Sequence, residues 1–122
     1  MRPLPILFAA LSASLSLAAV AGQTGDTQAA TRGMEHYRIF CANCHGAEAD
    51  GNGPTAKLLK IAPTKLTLLA RMNGGRFDPE KVFKAMDARH LVGGDQKMPV
   101  FSESLAIKTV LDIVEFLRTI QQ

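Results

Sequence analysis

Apolar residues in this chain recur at helical spacing in several stretches, and no stretch alternates convincingly as a strand would. The clearest run is the last. From about Ser102 or Ser104 to Ile120, the residues Ile107, Val110, Leu111, Val114 and Leu117 form one stripe, which Ile113, Phe116 and Ile120 widen. Lys108, Asp112, Glu115 and Arg118 fall largely on the other side, which predicts a polar face. A first helix is predicted from near Thr31 to about Cys44. It carries Met34, Tyr37 and Cys41 on one stripe and Phe40 and Cys44 on an adjoining one. Gly33 in its first turn costs helix stability unless another element approaches closely there, so a tight helix contact is expected at that point.

The middle of the chain is more broken. Residues 46–55 form a loop rich in Gly, Asp and Asn, and Pro54 opens a short helix that reaches about Lys60. A second short piece is predicted from Pro63 to about Arg71, followed by a turn at Asn73-Gly74-Gly75. Asp78-Pro79-Glu80 reads as a helix start, with an aspartate cap, a proline in the first helical position and an early carboxylate. That helix should run to about Ala88 and bury Val82, Phe83 and Met86. Gly93-Gly94 breaks the chain again. Gln96 to Phe101 is expected to be extended, because Pro99 holds Met98 out of helical geometry. The fold class expected is all-α, about four to five helices with loops long enough to wrap a planar cofactor.

The N-terminus changes the accounting of hydrophobicity. Of the 122 residues, 47% are hydrophobic, but part of that share belongs to a run from Leu4 to Val20 behind Met1-Arg2. A basic start, a short apolar stretch and the exit Ala19-Val20-Ala21 describe a signal peptide over residues 1–21. The run is short for a membrane span, a retained anchor being the alternative. No cysteine follows it, so no lipid anchor is expected. Residues 22–30 are small and polar and read as a flexible linker, which leaves residues 31–122 as the folded domain.

The two cysteines of the chain stand together, in Cys41-Ala42-Asn43-Cys44-His45. This spelling is the covalent haem attachment pattern. Each thiol can add across one vinyl group of haem, and the adjacent histidine is placed to bind the iron. An exported Cys-x-x-Cys could instead be a redox disulfide, but that chemistry goes with a fold of alternating strands and helices. Zinc would need four ligands, and His36 and His90 are poorly spaced to complete a set. One haem c, bound through Cys41 and Cys44, is therefore the cofactor expected. With one Tyr, six Phe and no Trp, the polypeptide has a modest core of its own, so the chain without haem is expected to fold poorly.

His45 is the proximal ligand candidate, and its other ring nitrogen needs an acceptor, for which a backbone carbonyl near Pro54 is suited. The distal candidates are Met34, Met72, Met86, Met98, His36 and His90. Met34 and His36 share a helix with the attachment motif, and Met86 has a packing role on its own apolar stripe. Met98 has no helical role and is fixed by Pro99, so it leads; His90 and an open sixth position are the alternatives. Methionine ligation favours ferrous iron and raises the potential relative to two histidines.

Three blocks carry a family resemblance: Gly33-Met34-Glu35-His36-Tyr37 leading into Cys41-Ala42-Asn43-Cys44-His45-Gly46, then Asp50-Gly51-Asn52-Gly53-Pro54, then Lys97-Met98-Pro99-Val100-Phe101 with the closing Ile113-Val114-Glu115-Phe116-Leu117. Over residues 31–120 the chain resembles a class I mono-haem cytochrome c of the bacterial periplasmic kind. The resemblance implies a small cytochrome c fold around one haem and axial ligation by His45 and Met98. It implies that Gly33 and Tyr37 meet Phe116 and Leu117 where the first and last helices cross, and that the Pro54 carbonyl accepts from His45. The chain departs from the family at the haem propionates, where Trp, Tyr or Arg is usual; Arg71, Arg76 and Arg89 are what it offers.

The net charge is +3, and removing Arg2 with the leader makes it +2. Its distribution says more. Residues 51–100 hold nine basic and four acidic side chains, whereas residues 22–50 and 101–122 are each slightly acidic. Lys57, Lys60 and Lys97 fall near the expected haem rim, where they would steer a redox partner. Basic residues interspersed with acids and few aromatics do not suit nucleic acid. The function expected is a periplasmic one-electron carrier, not an enzyme, passing electrons between a dehydrogenase donor and an oxidase or other cytochrome. The alternatives are a dedicated haem subunit of a periplasmic dehydrogenase (one oxidising sulfite or an alcohol, for example), a haem protein with an open iron, and a thiol oxidoreductase.

Overall fold

A computed structural model describes residues 19–87, Met98 and residues 105–122. Among these, five α-helices and two single turns of 3-10 helix follow one another, with no strand. The helices are α1 (Ala19–Phe40), α2 (Ala42–His45), α3 (Leu69–Met72), α4 (Pro79–Asp87) and α5 (Ile107–Thr119). The 3-10 turns are Ala56–Leu58 and Leu66–Leu68. The all-α expectation holds. Most of the predicted leader lies outside the described residues, as do Arg89, His90, Gly93-Gly94, Lys97 and Pro99. No helix among the described residues is long and apolar enough to cross a membrane.

α1 begins well before Thr31, so residues 22–30 have helical backbone. Nucleating a helix is costly but extending one is cheap, and the packed turns from Arg32 onward supply the nucleus. The Thr31 hydroxyl donates back to the Thr27 carbonyl at 2.9 Å, one turn earlier in α1.

The framework is the crossing of α1 and α5. A Cβ built on Gly33 would stand 1.8 Å from the Asp112 carbonyl oxygen and 2.8 Å from the Phe116 Cβ, so only glycine admits this approach. One turn on, the Tyr37 ring packs against Phe116 at 5.3 Å between centroids, tilted by 50°. Tyr37 and Leu117 share the core with Val110, Ile113 and Val114. The partners implied by the resemblance therefore meet.

α5 differs from its sequence reading in one respect. Asp112, expected on the polar side, is buried, whereas Ile107 and Leu111 are 56% and 51% exposed. Two faces of α5 are covered rather than one. Val110, Ile113, Val114 and Leu117 face the core, and a second face carrying Asp112 and Phe116 lies against α1. Ile107 and Leu111 belong to neither.

α4 starts as expected: the Asp78 carboxylate accepts from the Lys81 backbone N–H at 3.1 Å, and Pro79 occupies a position with no N–H to satisfy. Met86 is buried on its inner face, with Val82 and Phe83 half-buried, and α4 packs against α5. The chain end ties down the segment in between. The Gln121 side chain donates to the Leu66 and Leu117 carbonyls at 2.8 and 2.7 Å and accepts from the Ala70 N–H at 2.8 Å. The Gln122 N–H adds a bond to the Thr67 carbonyl at 2.9 Å.

Candidate cofactor site

α1 ends at Phe40, and the chain turns at Cys41 into the single helical turn of α2. The His45 N–H bonds to the Cys41 carbonyl at 2.9 Å and the Gly46 N–H to the Ala42 carbonyl at 2.9 Å. Helical spacing of three puts Cys41 and Cys44 on one face. Both are free thiols. Burial, with the nearby Cys44, pushes the Cys41 thiol up to about 11, so it is held as the neutral S–H. Cys44 sits differently: its sulfur lies 3.3 Å from the Thr55 hydroxyl. That hydroxyl spends its own hydrogen on the Asn43 carbonyl at 2.8 Å, so the Cys44 thiol is the donor between them.

The loop after α2 folds back tightly onto the motif. The Gly53 N–H bonds to the Cys44 carbonyl at 3.1 Å and the Thr55 N–H to that of Asn43 at 3.0 Å. A Cβ on Gly53 would meet the Asn43 carbonyl oxygen at 2.4 Å, so this hairpin also requires glycine. With its neighbours turned in, Pro54 is exposed.

Pro54 therefore does not provide the acceptor for His45. The His45 Nδ1 stands 3.0 Å from the carbonyl oxygen of Thr64, nineteen residues along the chain. A carbonyl can only accept, so Nδ1 carries the hydrogen and Nε2 keeps a free lone pair for a metal. The reason for the change is the path of the chain. Residues 46–55 cling to the backbone of α2, and the ring is reached instead by Ala62-Pro63-Thr64. A second proline, Pro63, was the available sign in the sequence.

Cys41, Cys44, His45 and Met98 all line one cavity of about 390 Å³. Leu59, Ile61 and Pro63 form one wall, Val82 and Met86 of α4 another, and Ile113 and Leu117 of α5 close it from the core side. The surroundings are almost wholly apolar, while the donors are two thiols, an imidazole and two thioethers. This set fits a covalently tethered haem: sulfur for the vinyl groups, nitrogen and thioether for the iron, and an apolar lining for the ring. Among the described residues no three His, Cys, Asp or Glu gather as a metal-binding group.

The other candidates fall elsewhere. Met34 lines an outer groove between α1 and α5, Met72 is 69% exposed, and His36 rests against Phe40 at 6.4 Å between ring centroids. Arg71 and Arg76 are exposed and do not line the cavity. Lys57 and Lys60 are exposed, in the same segment as the cavity-lining Leu59. Sequence reasoning missed Thr64 and Thr55, and it named Met86 among the distal candidates but favoured a packing role for it.

The model of the family described as cytochrome c oxidase, cbb3-type, subunit III matches residues 28–117. No curated protein and no solved structure matches the chain at a significant level.

Proposed function

This chain belongs to that family of c-type cytochrome domains, electron-transfer modules carrying covalent haem c, and on that premise we propose that it is a periplasmic one-electron carrier ligated by His45 and Met98. The observation that carries the reading is the convergence of Cys41, Cys44, His45 and Met98 on one apolar cavity. Haem supplies reversible one-electron Fe(III)/Fe(II) chemistry when bound.

The side chains do the rest by holding and excluding. Cys41 and Cys44 tether the cofactor from the same face of α2. The Thr64 carbonyl fixes the tautomer and plane of His45 through the 3.0 Å contact at Nδ1 and makes its Nε2 the better donor. Met98 supplies a neutral thioether from outside any helix. Two strong-field ligands that stay in place leave little to rearrange when charge changes by one. Leu59, Ile61, Val82, Ile113 and Leu117 keep water from the cavity, which raises the potential by disfavouring the ferric charge.

Exchange with a partner takes place at the mouth of the cavity. Exposed Leu58 and Ile61, with Lys57 and Lys60 beside them, offer an apolar centre with a positive rim. Such a surface suits a partner with carboxylates around its own redox centre, an oxidase or another cytochrome among them. The leader over residues 1–21 directs the chain to the periplasm on this reading, with the mature domain released.

Voltammetry of the purified protein together with cell fractionation tests the proposal. The expected result is a reversible one-electron wave with no catalytic current, from protein recovered in the periplasmic fraction. A catalytic wave with a small-molecule substrate, or protein held in the membrane fraction, would contradict it. A dehydrogenase that co-purifies through high salt would make the chain an enzyme's haem subunit instead of a free carrier.

A further inference from the structure

Two thioethers, not one, face the cofactor cavity. Among the described methionines, Met34 and Met72 lie away from it, whereas Met86 and Met98 both line it together with Cys41, Cys44 and His45. The sequence pattern assigns Met86 to helix packing, beside Val82 on the inner face of α4. The structure adds that this part of the inner face, Val82, Ala85 and Met86, is itself cavity wall. We propose that Met86 is a reserve distal ligand: when Met98 is away from the iron, the Met86 sulfur takes its place. This rests on the His45/Met98 reading above.

Met86 is only 6% exposed, so its sulfur is held inside the protein and away from bulk water. A thioether on an unbranched chain with three rotatable bonds can bring its sulfur to a new position without movement of the helix that carries it. Met86 also lies in the last turn of α4, a helix packed on α5, while Met98 stands on a bend outside any helix. The Met86 sulfur thus hangs from a helix anchored on α5.

Among the described residues, the remaining lining offers no further sulfur or nitrogen donor, Thr64 contributing only oxygen. Leu66, Leu69, Val82, Ile113 and Leu117 carry no donor atom, and both thiols are committed to the tether. Among the described lining residues, the choice at the sixth position once Met98 is gone lies between Met86 and an incoming water or diatomic ligand. The exchange is balanced as written: one sulfur–iron bond breaks and another forms, both sulfurs are neutral, and no electron or proton is transferred. The soft, neutral donor set is therefore preserved, and with it a closed iron.

The test is spectroscopic and uses the haem-loaded protein in four forms: wild type, Met86→Leu, Met98→Ala and the double variant. Met-to-Leu exchange conserves volume, so packing of α4 is kept; Met86→Ile serves as a second form should the Leu protein not accumulate. The expected result has three parts. Met86→Leu stays low-spin and keeps the red-end sulfur–iron band, since Met98 still supplies the thioether. Met98→Ala stays low-spin, keeps the red-end sulfur–iron band and takes up no carbon monoxide. The double variant becomes high-spin and binds carbon monoxide. A Met98→Ala protein as open to carbon monoxide as the double variant would overturn the inference while leaving the Met98 reading intact. A wild-type protein that binds carbon monoxide, or a Met86→Leu protein that loses the band, would overturn both.

Discussion

The Tyr37 hydroxyl donates to the Gly46 carbonyl oxygen at 2.7 Å, inside the core. The same side chain that packs against Phe116 at the helix crossing thus also holds the backbone beside His45. Burial, reinforced by Cys41 and Asp50, pushes the hydroxyl well above its ordinary range, so it remains a donor at any working pH. Tyr37→Phe keeps the ring and deletes the bond, leaving a buried carbonyl without a partner. The expected cost is about 1–3 kcal/mol, read by denaturant unfolding of the haem-loaded protein. An unchanged midpoint would mean that water reaches the Gly46 carbonyl.

Gly33→Ala should do more damage than its one carbon suggests. The added methyl would lie 1.8 Å from a backbone oxygen of α5, which cannot rotate away as a flexible side chain could. α1 and α5 must separate, which unpacks Tyr37 and Phe116 together. A loss of about 3 kcal/mol, the upper end for overpacking, is expected in thermal or denaturant melts.

Asp112 makes stability depend on acid pH. Its carboxylate accepts from Arg32 Nε at 2.8 Å and Nη2 at 3.0 Å, and from Lys108 Nζ at 2.9 Å. Hydrogen bonding from Arg32, against the opposing effect of burial and with help from Lys108, holds the carboxyl below the usual carboxylate range. A lowered folded value means that the contribution is present above about pH 4 and is lost as pH falls through the folded value. Wild type should therefore exceed Asp112→Asn in stability at neutral pH, with the gap closing under acid. Asp50, also lowered, chiefly by its bonds with Asn52, is common to both proteins and cancels in the comparison. A gap that is constant with pH would exclude this origin.

Lys57→Glu with Lys60→Glu should slow electron transfer to an acidic partner by about tenfold at low ionic strength and flatten its dependence on salt. Stopped-flow oxidation across a salt series reads both effects. Equal slopes for wild type and variant would remove these lysines from the docking surface.

What could be read in the sequence follows from how local each signal is. Cys41, Cys44 and His45 are adjacent, so their juxtaposition needed no fold. The cap at Asp78 and the core face of α5 are likewise local patterns. Asp112 was misplaced because a helical wheel has one inside and one outside, and it does not show that a second helix covers a second face. Thr64 was missed because a carbonyl acceptor carries no side-chain signature; Pro54, nearer in sequence, was the natural choice until the loop proved to turn it outward. The long α1 was hidden by residues of weak preference, Gln23 to Gln28, which become helical by extension from a packed neighbour. Met86 looked like packing because a buried methionine on an apolar stripe has the same pattern whether or not a cofactor lies beyond it.

The most direct measurement is the visible absorption spectrum of purified wild-type protein, oxidised and then reduced, with carbon monoxide added last. A low-spin c-type spectrum with the red-end sulfur–iron band in the ferric form, and no change on adding carbon monoxide to the ferrous form, is the result expected for a closed electron carrier. A high-spin spectrum that shifts with carbon monoxide would contradict it and would make the iron a site of binding or catalysis.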